Sequence, residues 1–435
     1  MGAFWRRRTS PQRLALGFAA YALIGALLLM LPISTHERLG VLDHVFQSVS
    51  AVSTTGLTTV SVGDRYTLFG QVVLLMLIQV GGIGFMTLSS VLILARGRSL
   101  DESRLGVLRA GFSMPHYFRM QDFLVQVVVF TLVCEMVGAG VLWWRLSALG
   151  VEGALWSAIF HSVSAFATAG FSLNATSMEA YAGDWVINVT LGVLCYLGAI
   201  GFIVVQDVWY SVRLRERMMT FTSKTILWMT LVLFAGGTVL LYALDPSLRA
   251  MPTGQGLMAA AFQAMSASTT AGFNTVPIGA MAAPALVVLM VLMLIGASPS
   301  GTGGGLKTTG VSAILGNLWS VLRGRAEVAW LGYEVPLARV LVAFATASLY
   351  LLLLMGGVLL LTITEKRDFL PVVFEAASAI GTVGLSMGIT GELSAAGKVI
   401  IIVLMFAGRV GPVTIGLALV RPAKDRGLLA DDLAV

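Results

Sequence analysis

A pattern that reads F-x-x-x-S-A-x-x-T-x-G-[LF]-[STN] occurs four times in this chain of 435 residues, and its copies reach their glycine at Gly56, Gly170, Gly272 and Gly384. A dehydrated monovalent cation needs a ring of oxygen dipoles in place of its water shell, and backbone carbonyls supply one without a countercharge that holds the ion too tightly. Glycine at a turn permits backbone dihedrals that aim carbonyls inward, and it adds no side chain to narrow the hole. Four such turns around one axis would complete the ring.

The residues predicted to bind the ion are the three residues of each T-x-G turn. They are Thr54, Thr55 and Gly56; Thr168, Ala169 and Gly170; Thr270, Ala271 and Gly272; and Thr382, Val383 and Gly384. A helix that precedes each turn would point its C-terminus, the negative end of its dipole, toward the same axis and disfavour anions. In the alternative interpretation the turns only pack, but packing does not require the same Thr-x-Gly each time.

The spacing of the copies, 100 residues or more in each case, is too long for a solenoid repeat. It suits duplication of a two-helix membrane unit. We therefore expect four tandem units at 1–109, 110–222, 223–330 and 331–435, each made of an outer helix, a short pore helix with its loop, and an inner helix. The four units would surround a pseudo-fourfold pore.

The composition places most of the chain in lipid or in protein interior, because 57% of residues are hydrophobic, 11% are charged and the mean hydropathy is +0.88. The predicted fold class is an all-α polytopic membrane protein. Eight stretches are apolar enough to enter the hydrocarbon core: about 14–33, 68–95, 123–144, 185–210, 225–244, 284–297, 337–361 and 398–420.

The helix predicted before the first turn, over residues 41–53, is too short to span the membrane. About a dozen helical residues cover about 18 Å, roughly half of a bilayer. The turn that follows would therefore lie at membrane depth, where non-helical backbone is tolerated only when it lines a water-filled cavity. This predicts that residues 54–58 line a pore.

Lys and Arg residues concentrate on one predicted side of the membrane, in segments 6–13, 96–119, 213–224, 323–339 and 421–426. By the positive-inside rule this side is cytoplasmic, and both termini lie there. The formal net charge of +6 then reflects topology, and no nucleic-acid partner is expected.

The third inner stretch is interrupted by a Pro, five Gly and four Ser or Thr between Pro299 and Gly310. Such a segment does not hold a lipid-facing helix, so we expect a flexible loop under the pore, with helix resuming near Val311. Arg409 lies in the middle of the fourth inner stretch, where an arginine costs at least ~2.5 kcal/mol unless it is paired or hydrated. It either serves the pore or makes a structural ion pair or carbonyl contact.

The four T-x-G turns, the eight-span frame and the segment G-A-S-P-S-G-T-G-G-G-L-K-T resemble the Trk/Ktr/HKT superfamily of cation transporters over nearly the whole chain. The first unit starts near residue 14, which resembles the Ktr branch rather than the Trk branch with its additional helix pair. In the plant-type branch, serine at the first filter glycine goes with sodium preference, whereas this chain has Gly56. The resemblance thus implies potassium uptake across a bacterial cytoplasmic membrane.

The same resemblance implies an intramembrane gate beneath the filter. Its residues would be Ser298, Pro299, Ser300, Gly301, Thr302, Gly303, Gly304, Gly305 and Lys307, with Arg409 facing the pore nearby. It also implies a homodimer in membrane lipid and a separate cytosolic nucleotide-binding ring that regulates transport. K⁺ would be the transported ion, and no organic cofactor is expected in this chain.

Two alternatives stay open at this point. A sodium or mixed-cation transporter would use the same frame, and Na⁺ as an activating or coupled ion is also compatible with the sequence. An intramembrane serine hydrolase would use Ser298 or Ser300 as nucleophile and His161 as base. The sequence assigns no role to the intramembrane Glu135 or to Asp207.

Overall fold

A computed structural model describes residues 10–84, 120–214 and 219–419 of the chain. Most of the basic residues that predict the orientation, the end of the 68–95 stretch and the 109/110 unit boundary lie outside these ranges. The helices are α1 (Ser10–Leu29), α2 (Val41–Val52), α3 (Val62–Arg65), α4 (Leu68–Ile83), α5 (Met120–Ala148), α6 (Ala154–Phe166), α7 (Trp185–Ala199), α8 (Phe202–Leu214), α9 (Phe221–Leu244), α10 (Pro246–Ala250), α11 (Thr253–Ser268), α12 (Ala283–Leu294), α13 (Thr308–Leu322), α14 (Leu337–Thr364), α15 (Phe369–Gly381), α16 (Ala395–Val410) and α17 (Pro412–Leu419).

The described part of the chain is mostly helical with almost no strand, as predicted. Its strands are β1 (Ala329–Trp330) and β2 (Tyr333–Glu334), which form one antiparallel pair. Short 3₁₀ turns follow or precede several helices. They cover Pro32–Ser34, Glu179–Tyr181, Ile278–Ala280 and Thr390–Glu392.

Within the described ranges, four helices are long and apolar enough to cross a membrane: α1, α5, α9 and α14. At most a third of the apolar window of each is buried inside the protein. Large apolar side chains such as Leu23, Met136, Val239 and Leu352 are exposed on their outer faces. An apolar outer surface of this extent is the surface that a bilayer covers.

A short helix that ends at a T-x-G turn comes after each long helix, with the five-residue α10 in between only after α9. These short helices are α2, α6, α11 and α15, with 12, 13, 16 and 13 residues. The prediction of short helices before the turns is confirmed. The pattern phenylalanines form part of the core, since Phe46, Phe160 and Phe374 are 0% exposed and Phe262 is 4% exposed.

Two of the inner helices differ from their prediction, because a break divides each of them. Residues 185–210 and 398–420 were each predicted as one helix, which is wrong. α7 and α8 are bent by 93° at a break, and α16 is separated from α17. The breaks occur at Gly201 and Gly411, with φ of 96° and 90°, and α4 likewise ends at Gly84 with φ 87°. A positive φ at glycine ends an α-helix.

The glycine three positions earlier has a different role in packing. A Cβ on Gly81, Gly198 or Gly408 would lie about 2 Å from the carbonyl oxygen of Val52, Phe166 or Ile380, respectively. The inner helices therefore pack directly against the last turns of the short helices. In each of these inner helices one glycine thus permits close packing, and the glycine three positions later ends the helix.

Candidate functional site

The four T-x-G turns end their helices in one shared conformation. The pattern threonine has a positive φ in every copy: 52° at Thr54, 49° at Thr168, 58° at Thr270 and 49° at Thr382. The next amide donates to the carbonyl of the pattern serine at 2.8 to 2.9 Å, as from Thr55 to Ser50. This is a Schellman-type helix end, in which glycine is the usual left-handed residue. Threonine there costs on the order of 1–3 kcal/mol, and strain of this kind clusters at functional sites.

The turn glycines bring the four turns into a closed ring. A Cβ added to any of these glycines would lie 2.1 to 2.4 Å from a carbonyl oxygen of a neighbouring turn. The pairs are Gly56 with Ala169 (2.4 Å), Gly170 with Ala271 (2.4 Å), Gly272 with Val383 (2.1 Å) and Gly384 with Thr55 (2.2 Å). The contacts therefore run from the first copy to the second, third and fourth, and back to the first. All four glycines also have a positive φ, from 66° to 97°. No other residue type meets both conditions.

The carbonyl oxygens of this ring are the next feature of the site. Within the described residues, no hydrogen bond ends on a carbonyl of any of the twelve turn residues. The threonine and the middle residue of every turn are 0% exposed. Buried carbonyls without donors call for another positive partner. Since the C-termini of α2, α6, α11 and α15 all reach the ring, the arrangement suits a cation.

The pattern threonines also contribute their side chains, which converge on one loop, residues 295–307 between α12 and α13. Thr54 Oγ1 donates to the carbonyl of Thr302 at 3.4 Å, and Thr168 Oγ1 lies 3.1 Å from Thr302 Oγ1. The Gly304 amide donates to Thr270 Oγ1 at 3.1 Å, and a Cβ on Gly304 would lie 2.0 Å from Thr382 Oγ1. The loop thus crosses directly beneath all four turns.

Loop 295–307 is tied down along its length, which corrects the expectation of a loose flexible segment. The amides of Ser298 and Thr302 donate to Ala199 and Gly198 at the end of α7, both at 3.0 Å. Within the loop, the amides of Gly296 and Ala297 donate to the carbonyls of Leu306 and Gly304 at 3.0 and 3.1 Å. A buried backbone needs such partners, because unpaired amides and carbonyls cost free energy there. Helix also resumes earlier than predicted, at Thr308.

Two cations hold the middle of this loop. Arg409 donates from its two Nη atoms to the carbonyls of Thr302 and Gly81, which joins the loop to α4. Lys307 Nζ donates to the carbonyls of Gly303 and Gly304 at 2.6 and 3.4 Å. In the described part of the chain neither side chain forms an ion pair with a carboxylate. The structure thus shows Arg409 in contact with backbone carbonyls, one of them in loop 295–307, and not in an ion pair within the described residues.

Other predicted gate residues lie at the edge of the loop, away from the turns. Ser298 Oγ is 2.9 Å from Thr308 Oγ1, and Ser300 Oγ donates to the carbonyl of its neighbour Pro299. Gly301 packs against α7, where a Cβ would lie 2.5 Å from the Ala199 carbonyl oxygen. Gly305 has φ 68° and packs on Gly296. The residues that reach the turns are thus Thr302, Gly303 and Gly304.

The arrangement required for a serine hydrolase does not form. His161 Nε2 lies 3.0 Å from Ser172 Oγ, and its Nδ1 lies 2.8 Å from the carbonyl of Ser157. Ser298 and Ser300 bond elsewhere, as described above. The proposed base and nucleophiles therefore share no hydrogen bond.

The structure gives Asp207 and Glu135 specific contacts. Asp207 Oδ2 accepts from the amide and hydroxyl of Thr220 at 2.8 and 2.9 Å, and Thr220 in turn caps the start of α9. This is a structural role. Glu135 Oε2 accepts from Gln79 Nε2 at 3.0 Å, which joins α5 to α4.

The threonine hydroxyls are the functional candidates that sequence reasoning missed. The pattern was interpreted through its carbonyls and glycines, and the invariant threonine only as part of the turn. A signal was available, because a left-handed helix end favours glycine or asparagine. A β-branched residue at that point in all four copies indicates that its side chain is needed.

A ring of carbonyls that accept no hydrogen bond within the described residues, at four helix ends of a multi-pass membrane fold, is typical of ion transport proteins. The comparisons agree with this class. The profile of TrkH, the cation transport protein family, matches residues 8–424, and the chain belongs to this family.

Several relatives are similar over nearly their full length. The chain is 37% identical to "Ktr system potassium uptake protein B" of Bacillus subtilis (strain 168), and the match covers 94% of this chain and 93% of the relative. It is 31% identical to "Potassium/sodium uptake protein NtpJ" of Enterococcus hirae, and this match covers 95% of this chain and 94% of the relative. The crystal structure of the potassium transporter TrkH from Vibrio parahaemolyticus shares the fold, with a TM-score of 0.72 at 22% identity over 93% of this chain and 83% of that one.

Proposed function

We propose that this protein takes up potassium across the bacterial cytoplasmic membrane through the ring of T-x-G carbonyls. The observation that carries the proposal is the closed ring of four T-x-G turns, whose threonines and middle residues are fully buried and whose carbonyls accept no hydrogen bond from the described residues. Such a ring replaces the water shell of a monovalent cation. The relative named as a potassium uptake protein B supports potassium as the ion.

The repeated elements form the frame of this pore in our proposal. Units 1–109, 110–222, 223–330 and 331–435 each contribute a long helix, a short helix with its turn, and an inner helix, around a pseudo-fourfold axis. The cyclic order of the glycine–carbonyl contacts supports this arrangement. Both termini lie in the cytoplasm.

Loop 295–307 serves as the gate. It lies under the turns in contact with all four threonines, so an ion that leaves the ring toward α13 meets Thr302 to Gly304. Arg409 and Lys307 hold the loop through hydrogen bonds to backbone carbonyls. A partner that shifts α13 or α4 would move those carbonyls and clear the path. We propose a homodimer regulated by a separate cytosolic nucleotide-binding ring in this role.

A sodium or mixed-cation transporter is the second candidate, favoured by the relative that is named as a potassium/sodium uptake protein. The ring itself accepts either ion in chemical terms, since selectivity depends on the spacing and field of its carbonyls. Sodium as a coupled or activating ion belongs to the same test.

The experiment is expression in a bacterium that lacks potassium uptake, at low external potassium, with and without a candidate cytosolic partner. Purified protein in liposomes, measured with potassium and sodium electrodes in turn, separates the two candidates. We expect growth rescue and faster potassium than sodium flux. Equal fluxes would favour the mixed-cation transporter, and no flux of either ion from folded protein would contradict transport.

A further inference from the structure

One polar side chain follows the pattern phenylalanine in each copy: Gln47, His161, Gln263 and Glu375. All four are buried, with exposures of 0 to 3%. They lie on the short helices α2, α6, α11 and α15, behind the T-x-G turns and not among the residues of the ring. Buried polar side chains at equivalent positions of four copies call for a shared partner.

The partner is the same in every copy: the chain segment that leaves the turn. Gln47 Nε2 donates to the carbonyl of Val60 at 3.0 Å, and Gln263 Nε2 donates to Thr275 Oγ1 at 3.2 Å. His161 Nε2 accepts from the Leu173 amide at 3.3 Å and lies 3.0 Å from Ser172 Oγ. Each side chain therefore bridges the helix before the turn and the segment after it.

Glu375 forms the most extensive of these bridges. Its Oε2 accepts from Ser386 Oγ at 2.8 Å, and its Oε1 accepts from Thr390 Oγ1. The Thr390 hydroxyl also lies 3.0 Å from Ser386 Oγ, so the three side chains close a network. Such a network fixes the outgoing segment more firmly than one bond does.

We propose that Gln47, His161, Gln263 and Glu375 are positioning residues that set the ion preference of the carbonyl ring. The proposal rests on the function proposed above. Discrimination between two monovalent cations requires the carbonyls to keep their spacing and field. The helix fixes one end of each turn, and the bridge fixes the other, so that the ring does not adapt to a different ion. Loss of a bridge leaves the ring in place but lets one of its four sides move.

The test compares potassium and sodium flux in liposomes for the intact protein, Glu375→Ala and Glu375→Gln. Glutamine keeps hydrogen-bonding groups at both positions and is the residue that two other copies use. We expect Glu375→Ala to lower the potassium-to-sodium flux ratio about fivefold, equivalent to roughly 1 kcal/mol of lost discrimination. Glu375→Gln should stay close to the intact ratio.

Glu365→Ala is the matched control. Glu365 is also a buried glutamate of the fourth copy, and it accepts from the Ser394 hydroxyl at 2.6 Å and the Ser394 amide at 3.1 Å. It joins the end of α14 to Ser394, the residue that caps α16, and its hydrogen bonds are not to Ser386 or Thr390, which Glu375 holds. We expect this variant to lose stability while it keeps the flux ratio.

Three results would overturn the proposal: an unchanged ratio in Glu375→Ala, an equal loss in Glu375→Gln, or a similar loss in Glu365→Ala. The second would mean that the charge of Glu375 matters and not the bridge. If Glu375→Ala does not fold, the double variant Ser386→Ala/Thr390→Ala removes the same bonds from the other side and must lower the ratio. Absence of potassium flux in the intact protein would contradict the proposed function instead, so the two failures are distinct.

Discussion

The carbonyl oxygen of Thr55 lies so close to Gly384 that a Cβ on that glycine would come within 2.2 Å of it. This contact joins the last copy of the pattern to the first and closes the ring. Because the obstacle is a backbone atom of another turn, it does not move aside as a flexible side chain does. The position of each carbonyl thus depends on a glycine of the neighbouring copy.

The first prediction follows from this dependence and concerns Gly56→Ser. The added Cβ would meet the Ala169 carbonyl oxygen at 2.4 Å and would stand at φ 90°. The serine should displace one carbonyl of the ring, and we expect the potassium-to-sodium flux ratio to fall about tenfold, or roughly 1.4 kcal/mol. Relative uptake of the two ions in cells with equal amounts of membrane protein is the measurement.

The control for Gly56→Ser is Gly150→Ser. Gly150 has φ 73° but no atom within 4 Å of its added Cβ, so it carries the backbone strain without the contact. It should leave the ratio unchanged. An unaltered potassium-to-sodium flux ratio in Gly56→Ser would contradict the assignment of this turn to the ion path.

A second prediction tests the loop under the ring through Gly304→Ala. The new methyl group would lie 2.0 Å from Thr382 Oγ1 and would push the loop away from the turns. We expect higher potassium flux in liposomes without any partner protein, because the obstruction is displaced. Gly310→Ala is the control, since its nearest neighbour, Ala343 Cβ, is 4.0 Å away. Flux at or below the intact level in folded Gly304→Ala would argue against a gate here.

Arg409→Ala is the third test, and it concerns how the loop is held. The arginine contacts the carbonyls of Thr302 and Gly81, so its loss frees the loop from α4. We expect a change in flux severalfold larger than the change in the amount of protein in the membrane. Arg145→Ala serves for comparison, because that arginine pairs with Asp184 at 2.6 Å far from the loop. A loss confined to membrane accumulation would assign Arg409 a structural role.

A pH-dependent prediction concerns Asp245, in the connection between α9 and α10. Burial by itself would raise the pKa of this carboxyl, but bonds from the Ser247 hydroxyl and from the amides of Ala282, Leu248 and Ser247 outweigh burial and lower the pKa below 3.8. A carboxyl with a lowered pKa stabilises the fold above its unfolded pKa, and this contribution is lost as pH falls through the folded pKa.

Asp245→Asn should therefore destabilise the protein by about 1–3 kcal/mol near neutral pH, because the amide nitrogen cannot accept from an N–H group. The deficit should shrink on acidification below about pH 4, where the aspartate also becomes protonated. Thermal unfolding of both proteins in detergent across pH gives the comparison, with the exposed Asp64→Asn as the control. A deficit that is constant with pH would rule out the charged bonds as its cause.

Much of this protein follows from local sequence. The apolar fraction and the long stretches predict a multi-pass helical membrane protein, because unpaired backbone is excluded from lipid. Four T-x-G patterns after short apolar helices predict four helix ends of one type. The break after Leu294 follows from the intrinsic aversion of proline and glycine to helix.

Other features were decided by tertiary packing alone. The sequence gives no order to four similar turns, whereas the contact of each glycine with a neighbouring carbonyl fixes a cycle. Glycine tolerates many backbone dihedrals, so the presence of Gly201 and Gly411 in the sequence does not predict a helix end. Packing selects the positive φ that ends the helix at each of them. The position of loop 295–307 also depends on tertiary packing, because its hydrogen-bond partners lie far away in sequence and become neighbours only in the folded chain. These partners are Gly198, Thr270 and Arg409.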